Sequence, residues 1–481
     1  MPSQLRVRFA PSPSGDLHVG GARTALFNWL YARKEGGRYV FRIEDSDADR
    51  SDEASILSIL DSLRWLGLTP DEGEGLGGPN PPYRQSQALG LYQASAKHLI
   101  DSGRAYWCYD TAAESEAERQ HLQHHPEERK RRHPHRGLDQ AAQDALKAQG
   151  RVPSLRFATD DLHGVAAWDD GVRGHVEVDL AEIRDFNLLK SDGTPMYNFA
   201  CVVDDHRMGI TQVMRGEDGI SNTPRQILLY QAFGWAAPAF SHVSFILGPD
   251  GQKLSKRHGD TGIARFRDKG YLPEALLNYL GLLGLGGEGE GSEVFSLAEL
   301  TARFSPDKLV KKASVFDYGK LDFLNAHWLR TKSGAELRAL AARFLEGLAA
   351  PSDAWLDLAL ETFKGNAERL TDLRAPVEAL LAPLAHGMEC LASARAFVQP
   401  GAPAKAFLEA LAAGAWPGDE AGFKALMKLA SGAAGVKGKD FFMPLRLALT
   451  ASEHGPELPK LLALLGADRT RERLAGFLAA L

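Results

Sequence analysis

The pattern of hydrophobic and polar positions changes twice within the first part of the chain. Leu5 to Phe9 alternate as in a strand, Gly21 to Lys34 carry apolar residues at helical spacing, and Tyr39 to Ile43 are again strand-like. The pattern predicts a βαβ unit. Such units build parallel sheets, whose ligands lie beyond the carboxyl ends of the strands. The connection "APSPSGDLHVGG" (10–21) occupies that position.

Strand patterns return in the middle of the chain. The stretch "FNLLKSDGTPMYNFACVVDD" (186–205) has strand character on both sides of Asp192-Gly193, a dipeptide that is typical of hairpin turns. We therefore expect a β-hairpin here. Further strands are expected in "GITQVMRGED" (209–218) and "FSHVSFIL" (240–247).

A helix is expected between these two strands. Thr223 is predicted as its N-cap, with Pro224 at the first helical position and Gln226 completing a capping box. Gly234 should end the helix, because glycine readily adopts the left-handed conformation found after helix C-termini.

Two regions differ in composition and in residue pattern from this α/β part of the chain. Residues 112–150 are polar and charged, which predicts an exposed helical or mobile insertion. After about residue 325, alanine and leucine dominate and the apolar positions keep helical spacing, so the C-terminal third should be helical. A chain of 481 residues is also long enough for several domains.

Composition narrows the class of protein. No apolar run approaches the roughly 20 residues that cross a bilayer, and the start of the chain does not resemble a signal peptide, so we expect a cytoplasmic protein. Cys108, Cys201 and Cys390 are far apart, which argues against a disulfide framework or a four-cysteine metal site. A net charge of −6 neither indicates nor excludes nucleic-acid binding.

The turn around His18 is a candidate phosphate site. Neither of the common glycine-rich phosphate loops is present. The start of the following helix offers unpaired N–H groups and the positive end of a dipole, and His18 adds a donor. Gly20 and Gly21 would leave room for a flat ligand such as adenine. A tight βα turn without a ligand would show the same residues.

A second candidate is the basic segment "KLSKR" (253–257), which follows a Gly-Pro-Asp-Gly turn. Its three cations could fold over a triphosphate and neutralise the charge that develops on departing pyrophosphate. A solvated basic loop is the alternative interpretation.

The two candidates together resemble the paired signatures of class I aminoacyl-tRNA synthetases. The stretches "RFAPSPSGDLHVGGARTALFNWLYAR", "RIEDSD", "PPYRQS", "LLKSDGTPMYNFACVVDDHRMGITQVMRGEDGISNTPRQ" and "KLSKRHG" are similar to bacterial glutamyl-tRNA synthetases, and so are "LPEALLNYLGLLG" and "GKDFFMPLRLALT". The resemblance covers nearly the whole chain. One departure is Gly21, where many members of the class have a second histidine.

The resemblance implies a Rossmann-like α/β catalytic core with an inserted α+β acceptor-binding domain, followed by an all-α anticodon-binding region. A β-barrel region in the same place would instead indicate the glutaminyl enzymes. The expected division is as follows: first half of the catalytic domain 1–85, acceptor-stem-binding insertion 86–189, second half 190–250, signature loop and stem-contact region 251–328, and two helical anticodon-binding subdomains 329–378 and 379–481.

The resemblance also assigns roles to individual residues. His18, Lys253 and Lys256 would be catalytic, contacting the phosphates of ATP and of the leaving group. The wider ATP site would include Gly20, Gly21, Glu217, Leu254, Ser255 and Arg257. A glutamate pocket would be lined by Arg8, Ala10, Ser12, Glu44, Tyr197 and Arg215, with Glu44 receiving the ammonium group and Tyr197 closing one wall. Without the resemblance, strand-end ion pairs, a core tyrosine and a helix cap would explain the same residues.

The implied activity is glutamate–tRNA ligation with ATP, accompanied by Mg²⁺ bound mainly through phosphates and water. The implied partners are tRNA(Glu), L-glutamate and ATP, without a membrane, and relatives are usually monomeric. An enzyme that also charges tRNA(Gln) is an alternative, as are a catalytically silent tRNA-binding paralogue and a small-molecule nucleotidyltransferase. The residues that read the anticodon cannot be identified from this sequence alone.

The insertion carries a basic and histidine-rich stretch. Glu128 to Arg136 could contact tRNA phosphates or form a solvated loop, and Lys308, Lys311 and Lys312 could meet the inner corner of the tRNA. The histidines raise the question of zinc: they are His121, His124, His125, His133 and His135. Because no cysteine pair accompanies them, and some relatives hold zinc here through several cysteines, we predict no metal site.

Overall fold

The structure is a computed structural model and describes residues 4–46, 51–255, 257, 261–285, 293–399, 402–413, 420–435 and 438–481. The chain divides into two compact units, which are described separately. Unit 1 comprises residues 1–267 and 276–318, and unit 2 comprises 268–275 and 319–481. The six-part division expected from the sequence is finer than this partition and stays a prediction.

Unit 1 contains the β-structure of the described residues. Its strands are β1 (Arg6–Phe9), β2 (Arg38–Phe41), β3 (Glu72–Gly73), β4 (Ala105–Cys108), β5 (Ser154–Phe157), β6 (Val165–Asp170), β7 (Gly174–Asp179), β8 (Phe186–Leu189), β9 (Gln212–Gly216), β10 (Ala239–Val243), β11 (Ile246–Leu247) and β12 (Ser314–Val315). The helices α1 to α10 accompany them: Val19–Lys34, Glu53–Trp65, Leu89–Asp101, Ala112–His124, Gln140–Ala148, Tyr197–Arg207, Thr223–Phe233, Ile263–Asp268, Pro273–Leu282 and Leu297–Arg303.

Seven strands form one large sheet in the order β3-β2-β1-β9-β10-β6-β7, and every pair is parallel except β6 with β7. Val7 of β1 pairs with Gln212 of β9, and Arg215 of β9 lies opposite His242 of β10. Because α1 leads from β1 to β2 on one side while β9 borders β1 on the other, the chain changes direction between β1 and β9. A crevice for ligands is expected at such a switch point.

The predicted βαβ unit is confirmed, and α1 begins at Val19, two residues before the predicted start. The strand expected in 209–218 corresponds to β9. The strand expected in 240–247 is divided between β10 and β11. These agreements reflect strong patterns, because parallel strands that are covered on both faces are almost continuously apolar.

The β-hairpin predicted over 186–205 is wrong in its second half. A turn does form around Gly193, and the N–H of Met196 returns to the carbonyl of Leu188. Residues from Tyr197 onwards form α6 instead of a strand. The apolar run in α6 is buried from Phe199 to Val203, so it has no polar alternation that would distinguish a buried helix from a strand.

The predicted capping box at α7 is also wrong. The N-cap is Asn222, without a side-chain capping bond, because a 3₁₀ turn over 217–222 runs directly into the helix. The hydroxyl of Thr223 bonds to the carbonyl of Gly219, and Gln226 accepts a bond from Arg215. Gly234 ends the helix with φ of 69°, as predicted.

A three-stranded antiparallel sheet, β4-β5-β8, lies inside the predicted insertion, together with α4 and α5. Both helices have no buried residue, as the polar texture of 112–150 indicates. Two further strands of this region, β6 and β7, belong instead to the large sheet. The α+β character of the insertion is therefore confirmed, although its strands contribute to two sheets.

Unit 2 is helical throughout its described residues after α11, as predicted for the C-terminal third. Its helices α11 to α19 are Tyr318–Thr331, Gly334–Ala341, Asp353–Phe363, Arg374–Leu381, Met388–Arg395, Pro403–Ala413, Glu420–Ala434, Lys439–Thr450 and Leu458–Ala480, the last kinked at Gly466. They enclose a core rich in leucine and alanine. No helix within the described ranges has both the length and the apolar character needed to span a membrane.

Candidate active site

Four predicted pocket residues lie at or near the carboxyl edge of the large sheet. Arg8 is on β1, Glu44 follows β2, Arg215 is on β9, and Tyr197 begins α6. Arg215 donates to the Tyr197 hydroxyl, and Cys201, one turn further along α6, lies beside Arg8, so these groups share one neighbourhood. The site is therefore at the switch point between β1 and β9.

Arg215 is buried and held by neutral groups. Its Nε donates to Nε2 of His242 at 3.1 Å, and its Nη1 donates to the Tyr197 hydroxyl at 3.2 Å. Its Nη2 donates to three acceptors: Thr223 Oγ1 at 2.9 Å, Gln226 Oε1 at 2.9 Å and the Gly219 carbonyl at 3.0 Å. All three nitrogens of the guanidinium are therefore oriented.

The charge of Arg215 nevertheless has no counter-ion within the described part of the chain, because none of its partners is a carboxylate. A buried charge without an opposite charge is costly. Such an arrangement is typical of a site where the opposite charge arrives with the ligand, and a guanidinium binds a carboxylate in a planar, bidentate manner.

His242 connects Arg215 to a buried carboxylate. Its Nδ1 lies 2.5 Å from Oδ2 of Asp170, and neither side chain is exposed. Asp170 also accepts bonds from three backbone N–H groups, those of Val172, Arg173 and His242, which lower its pKa together with the His242 side chain despite burial. Burial and the neighbouring Arg215 lower the pKa of His242, so its neutral form is favoured.

Arg8 and Arg42 share one carboxylate, in contrast to Arg215. Nε of Arg8 donates to Asp205 at 3.2 Å, and Nη1 of the fully buried Arg42 donates to the same carboxylate at 2.6 Å. Burial alone would raise the pKa of Asp205, but the charges of Arg42 and Arg8 lower it overall. Among the described residues, Nη1 of Arg8 has no hydrogen-bond partner, so it can donate to a ligand.

Glu44 is bonded to Arg42 through Oε1 at 2.9 Å. Burial raises its pKa, and the charges of Arg42 and Arg8 only partly oppose this effect. Because the buried carboxylate is not fully compensated by these charges, a ligand ammonium group would stabilise its ionised form. The predicted role of Glu44 is therefore compatible with its surroundings.

The remaining pocket residues line the wall and the floor of the crevice or lie in the connection after β1. Tyr197 is partly exposed, which suits a wall of the crevice. Ala10 and Ser12 lie in the connection after β1, and Ser12 is exposed. Cys201, one turn beyond Tyr197 on α6, is buried beside Arg8 and Arg42, and burial raises the pKa of its thiol to about 12. It therefore contributes a neutral group to the floor of the site.

His18 caps α1. Its Nδ1 accepts the N–H of Gly21 at 3.1 Å, which leaves the proton of the neutral ring on Nε2. Loss of hydration in the surrounding loop lowers the pKa of His18, and the Lys253 charge adds to this effect. The exposed ring can thus donate one hydrogen bond at the N-terminus of a helix, where anions bind.

The two glycines of this turn are also needed for packing. A Cβ at Gly20 would lie 3.0 Å from the His18 ring, and one at Gly21 would lie 2.9 Å from the Leu17 side chain. Local packing therefore accounts for both glycines. That they admit adenine stays a prediction.

The basic segment lies in the same region as the His18 turn. Thr261 accepts the N–H of Val19 at 2.9 Å, and Ile263 donates to Leu17 at 2.8 Å, so the chain directly after the segment pairs with the turn. Lys253 Nζ lies 3.3 Å from Asp218 and 4.3 Å from the centre of the Phe245 ring. Both members of the ion pair are more than half exposed.

The other predicted ATP residues lie in the basic segment and directly after β9. Leu254 donates to Ile246, and Arg257 lies 3.7 Å from Asp250. Ser255 is the last residue before Lys256, which lies outside the described residues. Glu217 accepts the N–H of Phe245 at 2.6 Å and pairs with Arg173, which indicates that it anchors the loop after β10.

Sequence reasoning missed several residues that build this site. Arg42, Asp170, Asp205 and His242 were not named as site residues, and Thr223 and Gln226 were not recognised as partners of Arg215. Arg42 lies within "RIEDSD" and could have been found, because it is a charged residue directly after an apolar strand. The Asp170–His242 pair has no such signal, because it spans 72 residues and depends on how β6 meets β10.

The basic stretch of the insertion is largely engaged within unit 1. Arg129 pairs with Glu182, Lys130 donates to the carbonyls of Thr159 and Ile183, and Arg136 pairs with Asp160. Arg131 and Arg132 are exposed. Contact with tRNA thus stays a prediction, and these two arginines are its best candidates.

The histidines of the insertion separate into two groups. His121 and His125 stack on each other at the surface. His133 and His135 lie beside Cys108 and Asp110, and one ligand atom from each of these four residues lies within 4.8 Å of the others. These four residues form a mixed group of possible ligands without a cysteine pair, and the prediction of no metal site stays a prediction.

Family models match both parts of the chain. A model described as "tRNA synthetases class I (E and Q), catalytic domain" matches residues 4–323, and one described as "Anticodon binding domain" matches 336–478. The glutamate–tRNA ligase of Desulforamulus reducens is 42% identical over 98% of each chain. The glutamate–tRNA ligase 1 of Fervidobacterium nodosum is 41% identical over 99% of each chain.

A solved structure is similar over the whole length. The glutamate tRNA ligase of Elizabethkingia meningosepticum, crystallised in complex with its amino acid, superposes with a TM-score of 0.88 at 30% identity, covering 100% of both chains.

Proposed function

The chain belongs to the class I tRNA synthetases for glutamate and glutamine, and we propose that it is a glutamate–tRNA ligase. The observation that carries the choice of substrate is Arg215, a buried guanidinium that is held by neutral acceptors and lies at the sheet's switch point. The all-helical unit 2 and the full-length similarity to glutamate–tRNA ligases support the same assignment.

In the first step, a carboxylate oxygen of glutamate attacks the α-phosphorus of ATP. The bond from this phosphorus to the bridging oxygen of the β-phosphate breaks, and diphosphate leaves with the electron pair. In the second step, a hydroxyl of the terminal ribose of tRNA attacks the carbonyl carbon and gives up its proton. The bond from this carbon to the phosphate oxygen breaks, and AMP leaves with the electron pair. Members of this class use ATP, generally with Mg²⁺, and the protein acts mainly by positioning and by stabilising charge.

We propose that the two ends of the amino acid meet different charges. Nη1 of Arg215 and Nη1 of Arg8 would donate to carboxylate oxygens, and Glu44 would offer a negative charge to the ammonium group. Ala10, Ser12 and Tyr197 would border the same pocket. The extra carboxylate of glutamate thus has a partner that the amide of glutamine would use less well, because the amide is neutral and has one acceptor oxygen.

The nucleotide is proposed to bind along the His18 side of the crevice. Nε2 of His18 and the N-terminus of α1 would meet phosphate oxygens, and Lys253 would approach the leaving diphosphate. Lys256, Leu254, Ser255 and Arg257 are proposed to complete this loop, with Glu217 holding its base and Gly20 and Gly21 keeping the turn compact.

The test is charging of tRNA(Glu) and tRNA(Gln) transcripts with labelled glutamate and, in parallel, with labelled glutamine at one stated salt concentration. Glutamate on tRNA(Glu) alone supports a discriminating ligase. Glutamate on both tRNAs supports an enzyme that also serves tRNA(Gln). Binding of tRNA without charging would contradict the proposal in favour of a silent paralogue, and adenylyl transfer independent of tRNA would favour a small-molecule nucleotidyltransferase.

A further inference from the structure

The hydrogen bonds of Arg215 lead through one imidazole to a buried carboxylate. Nε of Arg215 donates to Nε2 of His242 at 3.1 Å, and Nδ1 of His242 lies 2.5 Å from Oδ2 of Asp170. The side chains of His242 and Asp170 have no exposed surface. We propose that this dyad, Asp170 with His242, positions the Arg215 guanidinium for the carboxylate of glutamate, an inference that rests on the proposed function.

The two hydrogen bonds of the imidazole fix the position of its proton. Because Nε of Arg215 can only donate, Nε2 of His242 is the nitrogen without a proton, and Nδ1 donates to Asp170. Burial lowers the pKa of His242, and the charge of Arg215 adds to this effect, so the ring is neutral. A proton on Nε2 would direct one donor at another. The carboxylate therefore selects the tautomer that presents an acceptor to Arg215.

The backbone distinguishes the two oxygens of Asp170. Oδ1 accepts the backbone N–H groups of Val172, Arg173 and His242 at 3.0, 3.0 and 3.1 Å. Oδ2 faces the imidazole and also lies 3.3 Å from the indole nitrogen of Trp168. An amide nitrogen in place of Oδ1 would face three donors, so an asparagine here would have to turn its nitrogen toward His242. The tautomer of the imidazole thus depends on a carboxylate at this position.

The register of the sheet brings the dyad to Arg215. Arg215 and His242 are direct partners across β9 and β10, and Phe240 of β10 is the partner of Asp170, the last residue of β6. The N–H of Gly171 donates to the carbonyl of Phe240 at 2.8 Å, so the turn after β6 lies directly on β10. Backbone pairing therefore places the carboxylate, the imidazole and the guanidinium in one row.

The imidazole keeps the carboxylate away from the part of Arg215 that the substrate would use. In Arg42, Nη1 donates to Asp205 and Nη2 to Glu44, so carboxylates occupy both ends of the fork. Arg215 uses Nε for the dyad, and the one acceptor of its Nη1 in the described part of the chain is the Tyr197 hydroxyl. One of the two Nη1 protons is thus available to a ligand. The dyad orients the guanidinium without competing for that proton.

The segment after β9 completes the surroundings of the guanidinium. A Cβ at Gly219 would overlap Nε of Arg215, so the guanidinium packs directly against the backbone there. The hydroxyl of Thr223 lies 2.9 Å from Nη2 of Arg215 and 3.2 Å from Nε2 of His242. Nη2 and Nε are thus held by different groups, and together these bonds determine the direction of Nη1. Loss of the dyad would release Nε and allow the fork to turn.

Asp170→Asn is the sharpest test, because it keeps the size of the side chain. The amide oxygen would stay with the three backbone N–H groups, and the amide nitrogen would donate to Nδ1 of His242. The ring proton would then move to Nε2 and face Arg215. We expect the KM for glutamate in tRNA charging to rise about ten- to a hundredfold, with the KM for ATP and the kcat at saturating glutamate changed less than about threefold.

Two substitutions of His242 separate the acceptor from the ring. Asparagine extends only as far as Nδ1, so His242→Asn leaves Nε of Arg215 without an acceptor, and the KM for glutamate should rise as in Asp170→Asn. Glutamine extends about as far as Nε2 and can present its amide oxygen to Arg215, so His242→Gln should recover most of the affinity for glutamate. A purely structural role of the imidazole would give equal losses in the two variants.

Nuclear magnetic resonance of ¹⁵N-labelled histidine gives a readout that does not depend on activity. A ring nitrogen with a proton and one without a proton have clearly different chemical shifts, so the two neutral tautomers can be distinguished. The signal that is missing from His242→Asn identifies His242. We expect the proton on Nδ1 in the wild-type protein and on Nε2 in Asp170→Asn.

A second Asp–His pair adjoins the dyad in the sequence and supplies matched controls. Nδ1 of His175 on β7 lies 2.7 Å from Oδ1 of Asp169 on β6, and both side chains are more than half exposed. Asp169→Asn and His175→Asn repeat the two substitutions at the surface and should change none of the kinetic values. Melting curves identify any variant that has not folded.

The possible outcomes separate the positioning role from the proposed function. If wild-type protein does not charge any tRNA with glutamate, the proposed function fails. If wild type charges and the folded Asp170→Asn and His242→Asn proteins keep their KM for glutamate, or lose glutamate and ATP affinity equally, the positioning role is wrong. A proton on Nε2 of His242 in the wild-type protein would overturn it as well, even if no variant folds.

Discussion

The two sides of the crevice are built in different ways. On the proposed amino-acid side, Arg8, Arg42 and Arg215 form a buried guanidinium floor whose bonds are supplied by Asp205, Glu44 and His242. On the proposed nucleotide side, the neutral His18 ring and the Lys253 cation form an exposed polar rim with one capping bond and one surface ion pair. The floor is fixed by the protein itself, whereas the rim has few contacts that would fix it.

The difference indicates what each side must do. A floor that is oriented before the ligand arrives can discriminate between a carboxylate and an amide, because a mismatched group leaves buried partners unsatisfied. Phosphates need less discrimination, and exposed cations keep their hydration until ATP replaces it. Substitutions on the floor should therefore have larger effects than substitutions on the rim.

The largest effect is expected for Asp205→Ala. Removing this carboxylate leaves Arg8 and Arg42 without their shared counter-ion, and breaking a buried ion pair in this way costs about 3–5 kcal/mol. The free energy of unfolding of unit 1 should fall by this amount in urea titrations. Asp161→Ala, which breaks the half-exposed pair with Arg104, should cost less than about 1 kcal/mol. Equal losses in the two variants would contradict the distinction.

Arg215→Met should affect catalysis more than stability. The variant removes the proposed partner of the substrate carboxylate. The kcat/KM for glutamate should fall roughly a hundredfold or more, which corresponds to a loss of about 3 kcal/mol of transition-state stabilisation. The variant removes an uncompensated buried charge, which favours folding, but it also leaves buried acceptors such as the Gly219 carbonyl without their donor, so the two effects on the unfolding free energy oppose each other.

Arg215→Lys sharpens this test, because lysine keeps the charge but loses the planar fork, and it should recover only part of the activity. Arg225→Met on α7 is the control, since the one hydrogen bond of Arg225 within the described ranges goes to the carbonyl of Ser221. Full activity of Arg215→Met would remove the main support for glutamate as the substrate.

His18→Asn separates two roles on the rim. Asparagine can still accept the N–H of Gly21 and cap α1, but it does not reach as far toward a phosphate. We expect tRNA-dependent ATP–pyrophosphate exchange to fall on the order of a hundredfold, with the melting temperature unchanged. His18→Ala should lose the same activity and also about 1 kcal/mol of stability, because it removes the cap. An active His18→Asn enzyme would show that His18 acts only as a cap.

Some residues of the crevice could be predicted from the sequence, and others could not. His18 could be singled out as a candidate because it lies in the turn after a strongly patterned strand, where a parallel sheet places its ligands. Arg8 and Arg215 also lie at strand ends, but their proposed roles came from the family resemblance. The partners of Arg215 could not, because His242 reaches it through the register of β9 with β10, and Asp170 through a crossing of β10 with β6. No local pattern encodes either contact.

The errors in the sequence-based prediction have related physical causes. The region from Phe199 to Val203 is apolar on all sides because α6 is buried, and this removed the helical period. The proximity of His133 and His135 to Cys108 likewise had no signal in the sequence, because histidines 25 and 27 residues away converge only through the packing of β4 against the following loop; the prediction of no metal site stays a prediction. In both cases tertiary burial, not local propensity, determined the outcome.

The smallest effect is expected for Asp218→Asn. This change removes the partner of Lys253, but both groups are more than half exposed, and such pairs contribute less than about 1 kcal/mol. Stability should therefore be unchanged within about 0.5 kcal/mol. The freed ammonium would be more available to the diphosphate, so the KM for ATP should stay the same or fall slightly. A large rise in the KM for ATP would show instead that Asp218 orients Lys253, and the rim would then be prepared in advance in the same way as the floor.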